Sequence, residues 1–362
     1  MQRKILIAGA SGVVGASAVE AFANAGWQVV ALSRREPEVA SGVKFTHLPV
    51  SLFNPGECNA ALGAIDGISH VVFAALSEKP GLIEGWSDPA QMNLNLAMLQ
   101  NCLNPVLAKK GCLQHISLMQ GTKAYGQHLH AMEIPAREFR PRDPHENFYW
   151  LQEDWIKGKA ADCGFNFTIF RPPMIFGSAY GAAMNIMPVL GVYGAICHEK
   201  GLPFGFPGGV PYVWEAMDSR VLARAFIWAT QASQAWGEHF NITNGDVFEW
   251  RNAWPTIAET LGLPVAEDTP REMHRFLPAH AALWDEITAK YGLRPVPLND
   301  LLGESHYVAD FCFAAGAEIA PTPAFMSTIK LRQAGFHEVL DTLDSVKYWI
   351  SNFIDRKIIP KF

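Results

Sequence analysis

The chain has 362 residues, 49% hydrophobic and 18% charged, with a formal net charge of −6. That is enough for one large fold with a subdomain and a sizeable core, and the acidic balance argues against nucleic acid and anionic membranes as main partners. The longest apolar region, 184–197, contains Asn185 and Pro188 and is too short to span a bilayer. The N-terminus, "MQRKILIAGA", lacks the apolar stretch and cleavage site of a signal peptide. Cysteines at 58, 102, 112, 163, 197 and 312 form no C-x-x-C pair, a pattern of free thiols that leads to an expected cytoplasmic location.

In chain order, "KILIA" (4–8) is a short apolar run suited to a buried parallel strand. "GASGVVG" (9–15) follows, then a segment of helical composition ending at Gly26, and "WQVVALS" (27–33) returns as a second strand. This is a βαβ unit with glycines at a three-residue repeat between strand and helix. Gly9 permits a tight turn, Gly12 lets backbone N–H groups approach a pyrophosphate, and Gly15 allows close helix–sheet contact. Ser11, Val13 and Val14 complete that loop, and the helix N-terminus adds partial positive charge. A dinucleotide is the expected ligand.

The end of the second strand selects the dinucleotide. An NAD site wants a carboxylate for the ribose 2′-hydroxyl; here stand Ser33, Arg34 and Arg35. A guanidinium fork matches a 2′-phosphate, so NADP(H) is expected, the alternative being two solvated surface arginines.

Further strands are expected in "HVVFAAL" (70–76), "LQHISLM" (113–119) and "FTIFRPPMIFG" (167–177), separated by helical patterns. The fold class is therefore α/β: a Rossmann-type doubly wound parallel sheet with a smaller, mostly helical substrate-binding subdomain. Ligands in such sheets lie beyond the strand C-terminal ends, which puts Ala74, Ala75, Pro172 and Ile175 among the expected cofactor contacts. The Rossmann domain is expected over 1–177, completed by about 211–250. Residues 178–210 and 251–335 are assigned to the substrate subdomain, the latter stretch irregular and forming much of a lid. Residues 336–362 are read as a helix packing on the body. Met184, Met187 and Tyr193 suit an apolar pocket or a plain core helix equally.

"ENFYWLQED" (146–154) resembles the opening of a reductase catalytic helix with Tyr149 as proton donor. The lysine usual four residues later is absent; Glu153 stands there. Lys123, in "QGTKAYG" (120–126), leaves a predicted strand at the same sheet edge, and an ammonium near a phenol depresses the phenol's pKa. A solvated loop lysine is the alternative. Tyr125 is a rival donor, and Lys157 lies roughly 12 Å along the helix axis from Tyr149. "HLH" (128–130) has no cysteine or carboxylate cluster at ligand spacing, so no metal is expected.

"GASGVVG", "SRR", "GTKAYG", "NFYWLQED", "RPPMIFG" and "FNITNGDVFEWRNAWP" occur in this order. Together they resemble the progesterone 5β-reductase/iridoid synthase-like enone reductases, an atypical branch of the extended short-chain dehydrogenases. The similarity runs over nearly the whole chain. The resemblance implies catalytic roles for Lys123 and Tyr149, and a 2′-phosphate site at Arg34 and Arg35. It implies an adenine contact at Ser51, with Leu52 beside it, where the family usually has aspartate. It also maps substrate-wall positions onto Leu76, Leu129, Met174 and Val308, with Met184 added from its apolar surroundings. Since those walls differ from the plant steroid reductases, a small apolar enone or enal is the expected substrate. The expected activity is NADPH-dependent 1,4-reduction. The alternatives are carbonyl (1,2) reduction or sugar-nucleotide chemistry on the same scaffold, and a non-catalytic NADP-binding sensor. Oligomeric state is left open, a homodimer included.

Overall fold

The computed structural model describes residues 3–79, 81 and 83–362. In chain order the elements begin β1 (Lys4–Ala8), α1 (Val13–Asn24), β2 (Gln28–Leu32), β3 (Thr46–Leu48), α2 (Pro55–Gly63) and β4 (Ile68–Phe73). They continue α3 (Ile83–Trp86), α4 (Pro89–Leu107), β5 (His115–Met119), α5 (Phe148–Cys163), β6 (Asn166–Arg171), β7 (Met174–Phe176) and α6 (Met187–Glu199). Next come β8 (Val213–Trp214), β9 (Ala216–Asp218), α7 (Ser219–Ala229), β10 (Glu238–Asn241), β11 (Phe248–Glu249) and α8 (Trp250–Leu261). The remainder is helical: α9 (Met273–Phe276), α10 (Ala281–Tyr291), α11 (Leu298–Leu302), α12 (Ser305–Cys312), α13 (Ile329–Gln333) and α14 (Thr342–Asp355).

The chain divides into two compact units. The first comprises 1–173, 219–242 and 326–338; the second comprises 174–218, 243–325 and 339–362. These bounds differ from those expected. β7 leaves the first unit because it pairs with β9, and only 219–242 returns to complete the sheet. The 326–338 segment also returns, with Met326 bridging to Ala136 and Lys330 donating to the carbonyl of His239 at 2.9 Å. In consequence, 336–338 belongs to the first unit and the helix beyond it to the second.

The first unit is built on a seven-stranded parallel sheet in the order β10-β6-β5-β4-β1-β2-β3. β1, β2, β4 and β5 lie where apolar runs predict them, since strands covered on both faces must be apolar along their length. Ile5, Leu6, Ile7 and Ala8 are all 0% exposed. The order reverses between β1 and β4, the crevice where such sheets take ligands. "FTIFRPPMIFG" is not one strand: it breaks at Pro172–Pro173, where two residues lack the N–H a ladder needs, and resumes as β7 in another sheet.

Helix starts follow capping chemistry. Asn54 accepts from the N–H groups of Gly56 and Glu57, Asp88 from Ala90, and Asn147 from Tyr149. α7 packs on α1, with the Ser17 and Ser219 hydroxyls 2.8 Å apart.

The second unit has an aromatic core. Trp254 lies 4.9 Å from Phe204 and 6.0 Å from Tyr193 between ring centroids, and Trp250 lies 5.6 Å from Phe313. Met187 and Tyr193 are 0% and 1% exposed, core members rather than pocket lining. The 251–335 stretch is largely helical, not irregular. Apart from α8 and α10, its helices span eight residues or fewer, too few turns to show a periodicity. α14 packs against α8 and α6 within this unit. No helix among the described residues is long and apolar enough to cross a membrane.

Candidate active site

The loop after β1 is shaped by its glycines. Gly9 has φ 80°, and a Cβ there would sit 2.7 Å from the Ala75 nitrogen and 2.8 Å from the Ala74 carbonyl carbon. A Cβ on Gly15 would collide with the carbonyl oxygen of Gly9. The loops after β1 and β4 therefore run in close contact at the switch point. Gly12 caps α1 in an extended conformation with no side-chain acceptor, and the first turn carries no acidic residue. Ser11 and Val13 are half-buried and Val14 is buried. Such a glycine-lined helix start suits a pyrophosphate, so the residues present fit a dinucleotide.

Beyond β2, Ser33 is buried and its hydroxyl donates to the Arg35 carbonyl at 2.6 Å. Arg34 and Arg35 are exposed, with the Arg34 guanidinium 5.8 Å from the centroid of the Phe53 ring. Ser51 is half-buried and accepts weakly from the Phe53 N–H at 3.4 Å; Leu52 is buried.

β5 ends at Met119 and runs into a 3-10 turn, Thr122–Tyr125, that carries Lys123. Tyr149 opens α5 and is buried beside Phe148, Trp150, Ala124 and Met92. Its hydroxyl approaches the Lys123 loop closely, since a Cβ on Gly121 would lie 3.2 Å from it. Asn147 ties the two segments together. Its Oδ1 accepts from the Tyr149 N–H at 3.0 Å and its Nδ2 donates a long bond to the Lys123 carbonyl at 3.4 Å.

The expected depression of the phenol's pKa is not found. Burial pushes Tyr149 well up, the nearby Glu78 carboxylate adds to the rise, and Arg171 opposes it. Lys123 itself faces Glu78, Nζ to Oε1 3.5 Å, and lies 3.8 Å from the centroid of the Trp86 ring. Burial lowers the lysine's pKa while the Glu78 charge raises it.

The rival donor Tyr125 is engaged elsewhere. Its hydroxyl donates to Asn241 at 2.6 Å and accepts from Arg171 at 3.2 Å. Lys157 pairs with Glu153 at 2.6 Å. Glu153, the residue in the usual lysine position, is 2% exposed and forms a hub. It accepts from Arg142 at 2.7 Å and from Gln120 at 2.9 Å, and His239 Nε2 lies 3.0 Å away. Gln120 in turn accepts from Arg171 Nε at 2.8 Å. Burial alone would raise the Glu153 pKa; His239, Arg142 and Lys157 outweigh it and hold the carboxyl well below the usual range. Burial pushes His239 down, against the pull of the Glu153 carboxylate.

The remaining expected positions divide between the two units. Leu76 and Leu129 are 43% and 53% exposed in loops of the first unit. Pro172 is buried at the end of β6. Met174, Ile175, Met184 and Val308 are half-buried and belong to the second unit, where Met174 and Val308 pack against the aromatic core. Among the described residues, no group of three or more His, Cys, Asp or Glu is arranged to hold a metal. The sequence reading missed Glu78, Trp86, Arg171 and Asn147. Only Asn147 carried a local signal, an asparagine placed to cap a helix.

Residues 5–243 match the NAD dependent epimerase/dehydratase family. The chain is 28% identical to (S)-8-oxocitronellyl enol synthase of Antirrhinum majus, over 99% of this chain and 93% of that one. It is 29% identical to the CYC2 enzyme of the same name from Camptotheca acuminata, over 99% and 94%. Among solved structures, UDP-glucose 4-epimerase shares the fold with TM-score 0.67 at 14% identity, covering 99% of this chain and 100% of that chain. The Bordetella bronchiseptica enzyme WbmH, in complex with NAD+, superposes with TM-score 0.65 at 16% identity, covering 98% of each chain. The curated relatives bear out the resemblance to the iridoid synthase-like reductases, and the protein is an enzyme, an oxidoreductase of the extended short-chain type. By the match over most of its length, the chain belongs to the NAD dependent epimerase/dehydratase family.

Proposed function

We propose that the protein is an NADPH-dependent reductase that saturates the activated C=C bond of a small apolar enone or enal. The observation that carries the reading is the joining of the Lys123 turn to the Tyr149 helix start through Asn147, at the carboxyl edge of the sheet. Full-length similarity to enzymes named (S)-8-oxocitronellyl enol synthase supports it.

When bound, NADPH would supply a hydride to the β-carbon, and a proton from solvent would complete the saturation at the α-carbon. The chain's own residues handle binding and charge. Arg34 and Arg35 recognise the 2′-phosphate as a fork that a hydroxyl would not engage. Tyr149 stays a phenol and donates to the substrate carbonyl oxygen as negative charge grows there, where a preorganised donor acts most strongly. Lys123 adds positive charge beside that oxygen and orients the ribose. Such assistance is commonly worth about 10²–10⁴-fold. Within the first unit, Leu76 and Leu129 are proposed for the substrate wall, and Ser51, Leu52, Ala74, Ala75 and Pro172 for the cofactor wall.

The epimerase likeness favours one competing reading, sugar-nucleotide chemistry. It lacks the lysine four residues after the tyrosine, where this chain has Glu153. Incubation with NADPH and a panel of enones, enals, ketones and nucleotide sugars, with product identification, separates them. Saturated carbonyls are expected; alcohols or epimers as the products overturn the reading, as does cofactor binding without turnover. Tyr149→Phe is expected to lower kcat about 10²–10⁴-fold with NADPH affinity nearly unchanged.

A further inference from the structure

Among the described buried side chains with an unbonded polar atom, Glu78 and Lys123 are the carboxylate and the ammonium, and they face each other. Glu78 Oε1 and Lys123 Nζ are 3.5 Å apart, beyond a good hydrogen bond, with side chains 8% and 12% exposed. The other Glu78 oxygen accepts from Trp86 Nε1 at 3.1 Å, and the same indole lies 3.8 Å from the ammonium. Trp86 thus fixes the carboxylate through its N–H and the cation through its ring. Two opposite charges are kept nearly dry and short of partners, an arrangement that is costly unless each offsets the other.

We propose that Glu78 is a positioning residue, the counter-charge that keeps Lys123 an ammonium and Tyr149 a hydrogen-bond-donating phenol. This rests on the reading of Lys123 and Tyr149 as the reductase pair. In that reading the tyrosine must keep its proton, which the Arg171 charge opposes. Glu78 offsets this pull: its charge raises the Tyr149 pKa and opposes the loss of the Lys123 proton on burial.

Other charged groups around the pair do not replace it. Arg171 acts on Tyr149 in the opposite direction. His128, 5.8 Å from Trp86 between ring centroids, is held at about 4 by burial and by the charges of His145 and Lys123, so it is neutral near pH 7. Behind it, His145 and His130 pair with Asp143, and Lys79 pairs with Asp88. Among the described residues, Glu78 is the carboxylate in contact with Lys123.

The test is the pH profile of kcat for Glu78→Gln, Glu78→Asp and Trp86→Phe, with the phenol of Tyr149 titrated by carbon-labelled tyrosine NMR. Without the carboxylate both Lys123 and Tyr149 lose protons more easily. The alkaline limb of Glu78→Gln is therefore expected to move down by about one to three pH units. The Tyr149 titration should move with it, and Glu78→Asp should recover most of the shift. An alkaline limb unchanged from the parent, or a loss of kcat equal at every pH, overturns the proposal. If Glu78→Gln does not fold, Trp86→Phe, which removes the N–H that anchors Glu78, must shift the limb in the same direction; an unmoved limb is then the refuting result. Failure of the reductase reading looks different, because the parent enzyme would form no saturated carbonyl at any pH.

Discussion

The backbone N–H of Tyr149 donates to the side chain of Asn147 at 3.0 Å, and through this bond the proposed acid is held against the loop of its cation. Two substitutions divide the roles of Asn147. Asn147→Ala loses these two bonds and the contact of its Nδ2 with His145 Nε2 at 3.1 Å, and is expected to cost about 1 kcal/mol of stability as a missing cap, together with a drop in kcat. Asn147→Asp keeps the cap acceptor and loses the donor to the Lys123 carbonyl. Its melting temperature should stay near the parent while kcat falls. Parent-like kcat in both variants would show that the tie has no bearing on turnover.

Glu153 occupies the place of the usual lysine, and restoring that lysine should harm the protein. In Glu153→Lys a cation replaces the carboxylate facing Arg142, Lys157 and, at 3.8 Å, Arg171. Breaking such a buried cluster costs about 3–5 kcal/mol. Thermal denaturation should register a large fall in midpoint and no gain in activity. A variant as stable as the parent would remove the hub role from Glu153.

Arg34→Ala should weaken NADPH binding by about 10–100-fold, the loss of one charge-assisted hydrogen bond of roughly 1.5–3 kcal/mol. NADH has no phosphate at that position, so its affinity should be nearly unchanged. Titration of both cofactors by fluorescence reads the difference directly. Equal losses would dismiss the phosphate assignment.

His70 and His115 predict an acid sensitivity of the sheet. Both are buried on neighbouring strands, at ring centroids 6.4 Å apart, and burial lowers them to about 4 and about 3 respectively. The unfolded chain takes up these protons near pH 6.5, whereas the folded chain refuses them until much lower pH. Stability is therefore full above pH 6.5 and falls as pH drops towards about 4, by roughly 1.4 kcal/mol per pH unit for each group. Melting temperatures from pH 7 to pH 4 should decline less steeply in His115→Asn, even though that variant loses the bond to Thr168. An identical slope in parent and variant would assign the sensitivity to other groups.

The first βαβ unit was legible because its signals are local: an apolar run, spaced glycines and a helix end. β3 was not, being three residues long and half-exposed at the sheet edge. The missing N–H groups announce the break at Pro172–Pro173, but the apolar run on either side reads as one strand. The short helices after α8 were read as irregular because each bears too few turns for a periodicity to emerge.

The amino-acid sequence by itself determined the doubly wound class, the glycine loop for a dinucleotide and the singling out of Tyr149, Lys123, Arg34 and Arg35. Each follows from neighbours in the chain or from motif order. Only the tertiary structure decided which distant charges meet: Lys123 with Glu78 over Trp86, and Glu153 with Arg142 and Arg171. The reason is physical. Coulomb and desolvation energies depend on distance and burial in space, and Glu78 and Lys123 come from loops that follow different strands of the sheet.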